Sequence, residues 1–410
     1  MAPPTPSSEG TSPGEPRPGA PAARVRRRPW ADLNRRIGVL PIVLGPFAAS
    51  KLIGIGVPML TVWAFSPRVG VPPASTFISP FALWDGAAFA GIAQNGYPSG
   101  PLNMTSGAPG HLWAYFPGYP LLVHLASYGI PSTIVAGIVV SAVCELIALV
   151  FLAKLVLLER GDEASARFAC WALALFPYAF YLSALYSESA FLAAATASLY
   201  YMRRGRDGAA SVGAAAAMLV RVTGLALVPA LVIEHLIRRR GRPGRGLLAI
   251  CSSLLSPLLF VAYAWISTGD PLAYLHIEQS GSFNRVFAWP WQGASTTFTA
   301  MTASQGGNSF VFGMEMLFGI VGLAAVLWMA WHWRRIAPSF TVYATVAWLM
   351  GTSVIYWLSL PRYEMTVVPL YLVAVDLTRR HPRVRPVVLA ASAGWMGFVA
   401  TVAATGHFMA

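Results

Sequence analysis

Few residues in this chain are available for chemistry. Only 16 of 410 residues are Asp or Glu, against 29 Lys and Arg. Most arginines fall in short clusters between apolar runs. A second set of ionisable residues stands apart from those clusters: Asp85, His111, Glu188, Arg221, Asp270, His276, Glu278, Arg285, Arg362 and Glu364. Its arginines and carboxylates suit one kind of reaction. A guanidinium is a planar fork that binds two phosphate oxygens at once. A carboxylate takes the proton of an attacking hydroxyl. Aromatic rings beside them offer stacking faces for a sugar and an apolar bed for a lipid. The combination reads as a site that displaces a lipid phosphate at a membrane surface.

Asp85 leads the set. It lies in Trp84-Asp85-Gly86, at the start of a helically spaced stretch. Glu188 is the second acid, in the turn Ser187-Glu188-Ser189. Each residue also has a plainer reading. Asp85 could cap a short helix, and Trp84 could anchor at the headgroups. Glu188 could open the next helix as part of an N-cap-type turn. Arg221 and Arg362 could be cations reaching for outer headgroups. His111 and His276 fit structural roles better than chemical ones. Lys51 and Glu145, both in apolar runs, fit a buried pair with each other.

The elements that position these residues follow from composition. The chain is 56% hydrophobic and 11% charged, with a mean hydropathy of +0.57. A soluble protein carries about a quarter charged residues. Apolar runs of about 20 residues, each long enough to cross a bilayer, recur throughout. The fold class is therefore an all-α polytopic membrane protein, since helices satisfy their own backbone in lipid. A net charge of +13 could point to nucleic acid. Clusters between apolar runs point instead to cytoplasmic loops, so no nucleic-acid partner is expected. Cys144, Cys170 and Cys251 read as small core residues, with no metal or disulfide spacing.

In chain order, residues 1–36 are a Pro-, Ser-, Gly- and Arg-rich tail, expected to be disordered and cytoplasmic. It is too long and polar for the start of a cleaved signal peptide. Residues 37–410 form one transmembrane domain. The first span is 38–64, and 65–132 is a long first extracytoplasmic loop. Within that loop a surface helix is expected over 80–94, and 117–130 reads as re-entrant or interfacial. Later spans fall at 133–157, 168–184, 187–202, 209–221, 223–237, 247–267, 310–331, 339–357, 363–378 and 386–405, for about eleven transmembrane helices. A second large outer loop covers 268–309. This arrangement puts the tail, Glu159–Arg167, Arg203–Asp207, Arg238–Arg245, His332–Arg335 and Thr378–Arg385 on the cytoplasmic side. Asp85, Glu188, Arg221 and Arg362 then share the other side.

Several motifs carry a resemblance to a known family. Trp84-Asp85 is followed by Phe89, Ile92-Ala93 and Gly96-Tyr97, then by Tyr115-Phe116-Pro117-Gly118-Tyr119-Pro120. Further on come Phe176-Pro177, Ser183-Ala184-Leu185-Tyr186-Ser187-Glu188-Ser189, Arg221-Val222-Thr223-Gly224 and Arg362-Tyr363. In this order, over roughly 80–370, they resemble the PIG-V family of membrane mannosyltransferases, of the GT-C class. One departure is Val222-Thr223-Gly224, where the family has Ser-Asn-Gly. The resemblance implies a GT-C-like bundle at the plasma membrane with an extracytoplasmic active site. It implies transfer of mannose from polyprenyl-phosphate mannose, with inversion, to a glycan, glycolipid or protein. Asp85 matches the family's catalytic base, and Glu188 is the second catalytic candidate. Arg221, Arg362 and Tyr363 are candidates for binding the donor phosphate. Trp84, His111, Tyr115 and Tyr119 are candidates for the substrate cavity. No cofactor is expected beyond the lipid-linked donor, no metal ligand is assigned, and the need for a metal stays open.

Two other classes fit the composition. A transporter or lipid flippase would also be polytopic and basic inside, but such proteins usually show internal repeats, and none is visible. A non-catalytic subunit of a membrane glycosylation complex is the other. A nucleotide-sugar enzyme would be expected to carry a cytoplasmic globular domain, which the sequence lacks.

Overall fold

Apolar sequence of this kind satisfies its backbone by forming helices, and the computed structural model, which describes residues 38–65, 74–103, 109–281 and 283–409, is built of helices joined by turns and irregular segments. The basic tail expected over 1–36 lies outside the described residues. Among those described there is no strand, and Phe287 and Val354 form an isolated bridge.

The helices used below are α1 (Leu40–Phe65), α2 (Asp85–Asn95), α3 (Gly118–Ser127), α4 (Thr133–Arg160), α5 (Glu163–Ala174), α6 (Glu188–Arg203), α7 (Asp207–Val220), α8 (Leu227–Arg238), α9 (Arg245–Ser252), α10 (Leu255–Thr268), α11 (Ala273–Gln279), α12 (Pro290–Ala303), α13 (Gly307–Trp331), α14 (Pro338–Thr352), α15 (Leu360–Met365), α16 (Pro369–Thr378) and α17 (Val384–Ala404). Among the described residues, α1, α4, α9 with α10, α13 and α17 are long and apolar enough to cross a bilayer. A further segment, Thr76–Ala82 with α2, is bent by 96° at its break. It replaces the single surface helix expected over 80–94. The stretch 117–130 holds only the ten-residue α3, packed on α2 and α4.

Local chemistry sets the helix ends. Ser132 Oγ accepts the Val135 N–H at the start of α4, and Gly161, with φ +79°, closes it in the left-handed region that glycine tolerates. Asp162 then caps α5 through the Ser165 N–H, at 2.7 Å. The expected span 168–184 is interrupted, because α5 ends at Ala174. The backbone runs on irregularly to Ser187, buried over most of its length. Side chains from other elements meet its carbonyls. Lys51 Nζ and Ser189 Oγ donate to Leu182 O, and Ser141 Oγ donates to Ala184 O. Lys51 also stands 2.5 Å from Glu145, the buried pair anticipated for these residues. Gly137 lets the segment approach α4, since a Cβ there would lie 2.4 Å from Leu185 Cγ.

The helices have two chemically different ends. At one end Arg160 pairs with Asp376, Arg203 with Glu159 and Glu234, and Arg238 with Asp207. The arginines among them, with Glu159 and Asp207, come from the segments grouped together by charge, while Glu234 and Asp376 lie just before two of those segments. α6 starts at Glu188 and ends at Arg203, and α7 runs back from Asp207 to Val220, with Arg221 as the residue that ends it. Both helices thus connect the arginine-rich end with the end that holds Glu188 and Arg221.

Candidate active site

The site is assembled around one buried carboxylate. Glu188 opens α6, where the helix N-terminus favours an anion. Its Oε1 accepts hydrogen bonds from Arg362 Nε at 2.9 Å and Nη2 at 2.6 Å. Arg221 Nη1 lies 2.8 Å from the same oxygen, without the alignment of a hydrogen bond. Arg362 also donates to Asp85 Oδ2, at 2.9 Å. One guanidinium therefore bridges the two acids singled out in the sequence, across 277 and 174 residues of chain separation. Its plane rests on Tyr181 and Tyr186, with ring centroids 4.5 and 4.8 Å away.

Arg362 owes its place to a residue that sequence reasoning missed. Glu315, buried in α13, accepts the N–H groups of Ser359 and Leu360, both at 2.7 Å. Those are free donors at the start of α15. Ser359 sits at φ +67°, a strained conformation for a non-glycine residue, and Pro361 follows in the first turn. Glu315 so fixes the short helix that carries Arg362 and Tyr363.

Asp85 is the first residue of α2. Trp84, just before it, has φ +49° and packs edge-on against Phe408, with centroids 5.6 Å apart. Gly86 is no source of flexibility: a Cβ there would lie 3.3 Å from both Leu185 O and Phe81 O. The missing side chain lets α2 seat against that backbone. The second oxygen of Asp85, Oδ1, accepts the Tyr115 hydroxyl at 3.1 Å. Burial, with the neighbouring Asp85 carboxylate, pushes the Tyr115 phenol well up from its ordinary value, so it remains a donor. Aromatic packing places Tyr115. Phe89 meets it edge-on at 5.1 Å, and Tyr97 OH donates to its carbonyl at 2.6 Å. Tyr97 stacks on Trp113, which belongs to a buried cluster with Phe116, Phe260 and Ile277.

That cluster brings the short helix α11 over the site. Glu278 on α11 and Arg285 just after it are 3.5 Å apart. Arg285 also donates to the Tyr363 hydroxyl. The Tyr363 ring meets two guanidinium groups, Arg221 at 4.9 Å and Arg285 at 5.4 Å from its centroid. Burial pushes the Glu278 carboxyl up from its ordinary value, with Arg285 acting against it. The signal for both residues was their presence in the small set of unclustered charges. Nothing in the spacing linked them to Asp85.

These groups line an open cleft of about 580 Å³, counting the space at its mouth. Asp85, Tyr115, Arg221, Glu278, Arg285, Arg362 and Tyr363 all face it. Glu188 is fully buried and stands behind the arginines, while Ser187 reaches the wall. Trp84, His111 and Tyr119 do not line it. Tyr119 is buried, with its hydroxyl at Gly137 O and Ser141 Oγ. His276 pairs with Asp270. Among the described residues, no three of His, Cys, Asp and Glu gather as metal ligands would. The cleft can hold an anion against three guanidinium groups and present one tethered, part-exposed carboxylate to a hydroxyl.

No family model matches the chain, and no curated protein sequence does. Solved structures do. ArnT from Cupriavidus metallidurans, bound to undecaprenyl phosphate, is similar over 84% of this chain at 15% identity, with a TM-score of 0.50. The Archaeoglobus fulgidus oligosaccharyltransferase AglB, in complex with an inhibitory peptide and a dolichol-phosphate, covers 91% at 12% identity and a TM-score of 0.44. This chain spans 61% of the ArnT chain and 56% of AglB. The likeness to ArnT defines the architecture: an all-helical membrane bundle with a GT-C-like fold.

Proposed function

We propose that this protein is a membrane glycosyltransferase that moves a mannosyl residue from polyprenyl-phosphate mannose to an acceptor hydroxyl, with inversion. The observation that carries the reading is Asp85, held at the cleft between Tyr115 and Arg362 with Arg221 and Arg285 on the same wall. The ArnT fold, seen with undecaprenyl phosphate, supports a polyprenyl-phosphate donor. Mannose rests on the resemblance to the PIG-V family alone.

In this reading the donor phosphate lies against Arg221 and Arg285, both of which rest on the Tyr363 ring. The acceptor oxygen attacks the anomeric carbon from the opposite face. Its proton passes to Asp85, the new carbon–oxygen bond forms, and the bond to the phosphate oxygen breaks. Polyprenyl phosphate leaves with that electron pair, and its charge is met by the guanidinium groups. Arg362 and Tyr115 fix both oxygens of Asp85 without neutralising it by proton transfer. Glu188 holds Arg362 and Arg221 in place from behind. The basic end faces the cytoplasm and the cleft opens on the extracytoplasmic side of the plasma membrane.

The test is purified protein in detergent with radiolabelled polyprenyl-phosphate mannose and glycolipid, polysaccharide and protein acceptors in turn. Label on an acceptor supports the reading and names the acceptor class. If, with the protein reconstituted in vesicles, no acceptor is labelled and label instead crosses the membrane still attached to its lipid, the protein is a flippase and the reading fails.

A further inference from the structure

A second, chemically different cavity lies on the far side of α15. It is an apolar groove of about 1650 Å³, counting the space open at its side, walled by α5, α13, α16 and α17. Phe318, Val321, Trp328, Leu370 and Trp395 are among its lining residues. It follows α13 from Met314 to Trp328, a rise of about 21 Å at 1.5 Å per residue. Two of its walls, α13 and α17, are membrane-length helices.

One acid faces this apolar surface. Glu364 is 4% exposed and, among the described residues, its carboxyl makes no hydrogen bond or ion pair. Its carboxyl occupies space that α13 leaves by carrying glycine: a Cβ on Gly322 would lie 2.1 Å from Glu364 Oε1. A buried carboxyl without a partner is costly, so a ligand that supplies a donor would be favoured there. No Lys, Arg or His lines the groove. A phosphate-headed lipid would find a carboxyl and no countercharge. A cationic head would form an ion pair in apolar surroundings, where desolvation offsets the attraction. A neutral hydroxyl donor avoids both costs.

We propose that this groove is a binding site for a long-chain alcohol, with the chain along α13 and the hydroxyl donating to Glu364. The site is separate from the cleft, although α15 contributes Arg362 and Tyr363 to the cleft and Glu364 to the groove.

The test uses the full chain in phosphatidylcholine nanodiscs with a diazirine-bearing fatty alcohol. Labelling should concentrate in 314–328 and 370–395. Hexadecanol should compete at roughly three- to tenfold lower concentration than hexadecane or hexadecyl phosphate, the factor that one net hydrogen bond supplies. Glu364→Leu should remove that preference, and Glu364→Gln, which keeps an acceptor, should retain part of it. Should Glu364→Leu fail to fold, Ala325→Trp fills the groove while keeping Glu364 in the chain and should block labelling. Label spread evenly over all lipid-facing helices, or equal competition by alcohol and alkane, would show bulk lipid only and overturn the proposal. Strongest competition by hexadecyl phosphate would overturn it too, because the groove would then take an anionic head.

Discussion

Glu188→Gln separates a carboxylate that holds the arginines from one that handles substrate. Glu188 Oε1 takes contacts of 2.9 and 2.6 Å from Arg362 and 2.8 Å from Arg221. The substitution keeps the shape and removes the charge. Arg362 then has Asp85 as its remaining anion, and Arg221 loses its own. Breaking a buried ion pair costs about 3–5 kcal/mol. Because Arg362 keeps one partner, the lower figure applies, about 3 kcal/mol or roughly a hundredfold in the folding equilibrium. The assay is denaturant unfolding in mixed micelles, followed by tryptophan fluorescence, with donor binding measured alongside. Both stability and donor affinity should fall, because the guanidinium groups that bind phosphate lose their anchor. An unchanged unfolding midpoint and unchanged donor affinity, with a tenfold rise in KM for the acceptor alone, would refute this. Glu188 would then touch the acceptor.

Residues that conflict with their surroundings were the legible part of this site. An acid or base in apolar sequence is conspicuous, so Asp85, Glu188, Arg221 and Arg362 stood out, and so did Lys51 with Glu145. The structure brings the first four into one network and pairs the last two. Contributions that depend on packing were not legible. Glu278 and Arg285 reach the cleft because an aromatic cluster around Trp113 seats α11 over it. Glu315 matters only because the backbone of Ser359 and Leu360 ends beside it. Hydropathy also read through the break after Ala174, since the irregular segment there is as apolar as a helix. Gly86 is a point of close packing, which its place beside Asp85 in the sequence does not reveal.

Further outcomes follow from particular residues. In a chain with Cys144, Cys170 and Cys251 replaced, single cysteines at Arg242 and Arg380 should escape an impermeant label in intact cells, while one at Gln305 reacts; the reverse pattern would invert the topology. Lys51→Met alone strands Glu145, and Glu145→Gln alone strands Lys51, so each should lower the unfolding midpoint more than the double substitution does; additive losses would mean that the pair is not coupled. Burial raises the Glu278 carboxyl above its ordinary 4.5, so the folded chain favours its protonated form. Its contribution to stability is complete below that value and is lost as pH rises through the raised folded value. Relative to Glu278→Gln, the wild-type chain should therefore lose stability as pH rises from about 4.5, and a constant difference in unfolding midpoint from about pH 4 to pH 8 would contradict this.

Single-turnover transfer by Asp85→Asn tests the central claim most directly. The asparagine keeps the side chain's shape and a hydrogen-bond acceptor for Arg362 or Tyr115, but it takes no proton. Saturating labelled polyprenyl-phosphate mannose is mixed with purified enzyme and acceptor, and product is followed with time. Donor binding should persist while the transfer rate falls by about 10²–10⁴, the usual contribution of a general base. Transfer by Asp85→Asn at close to the wild-type rate would contradict the account.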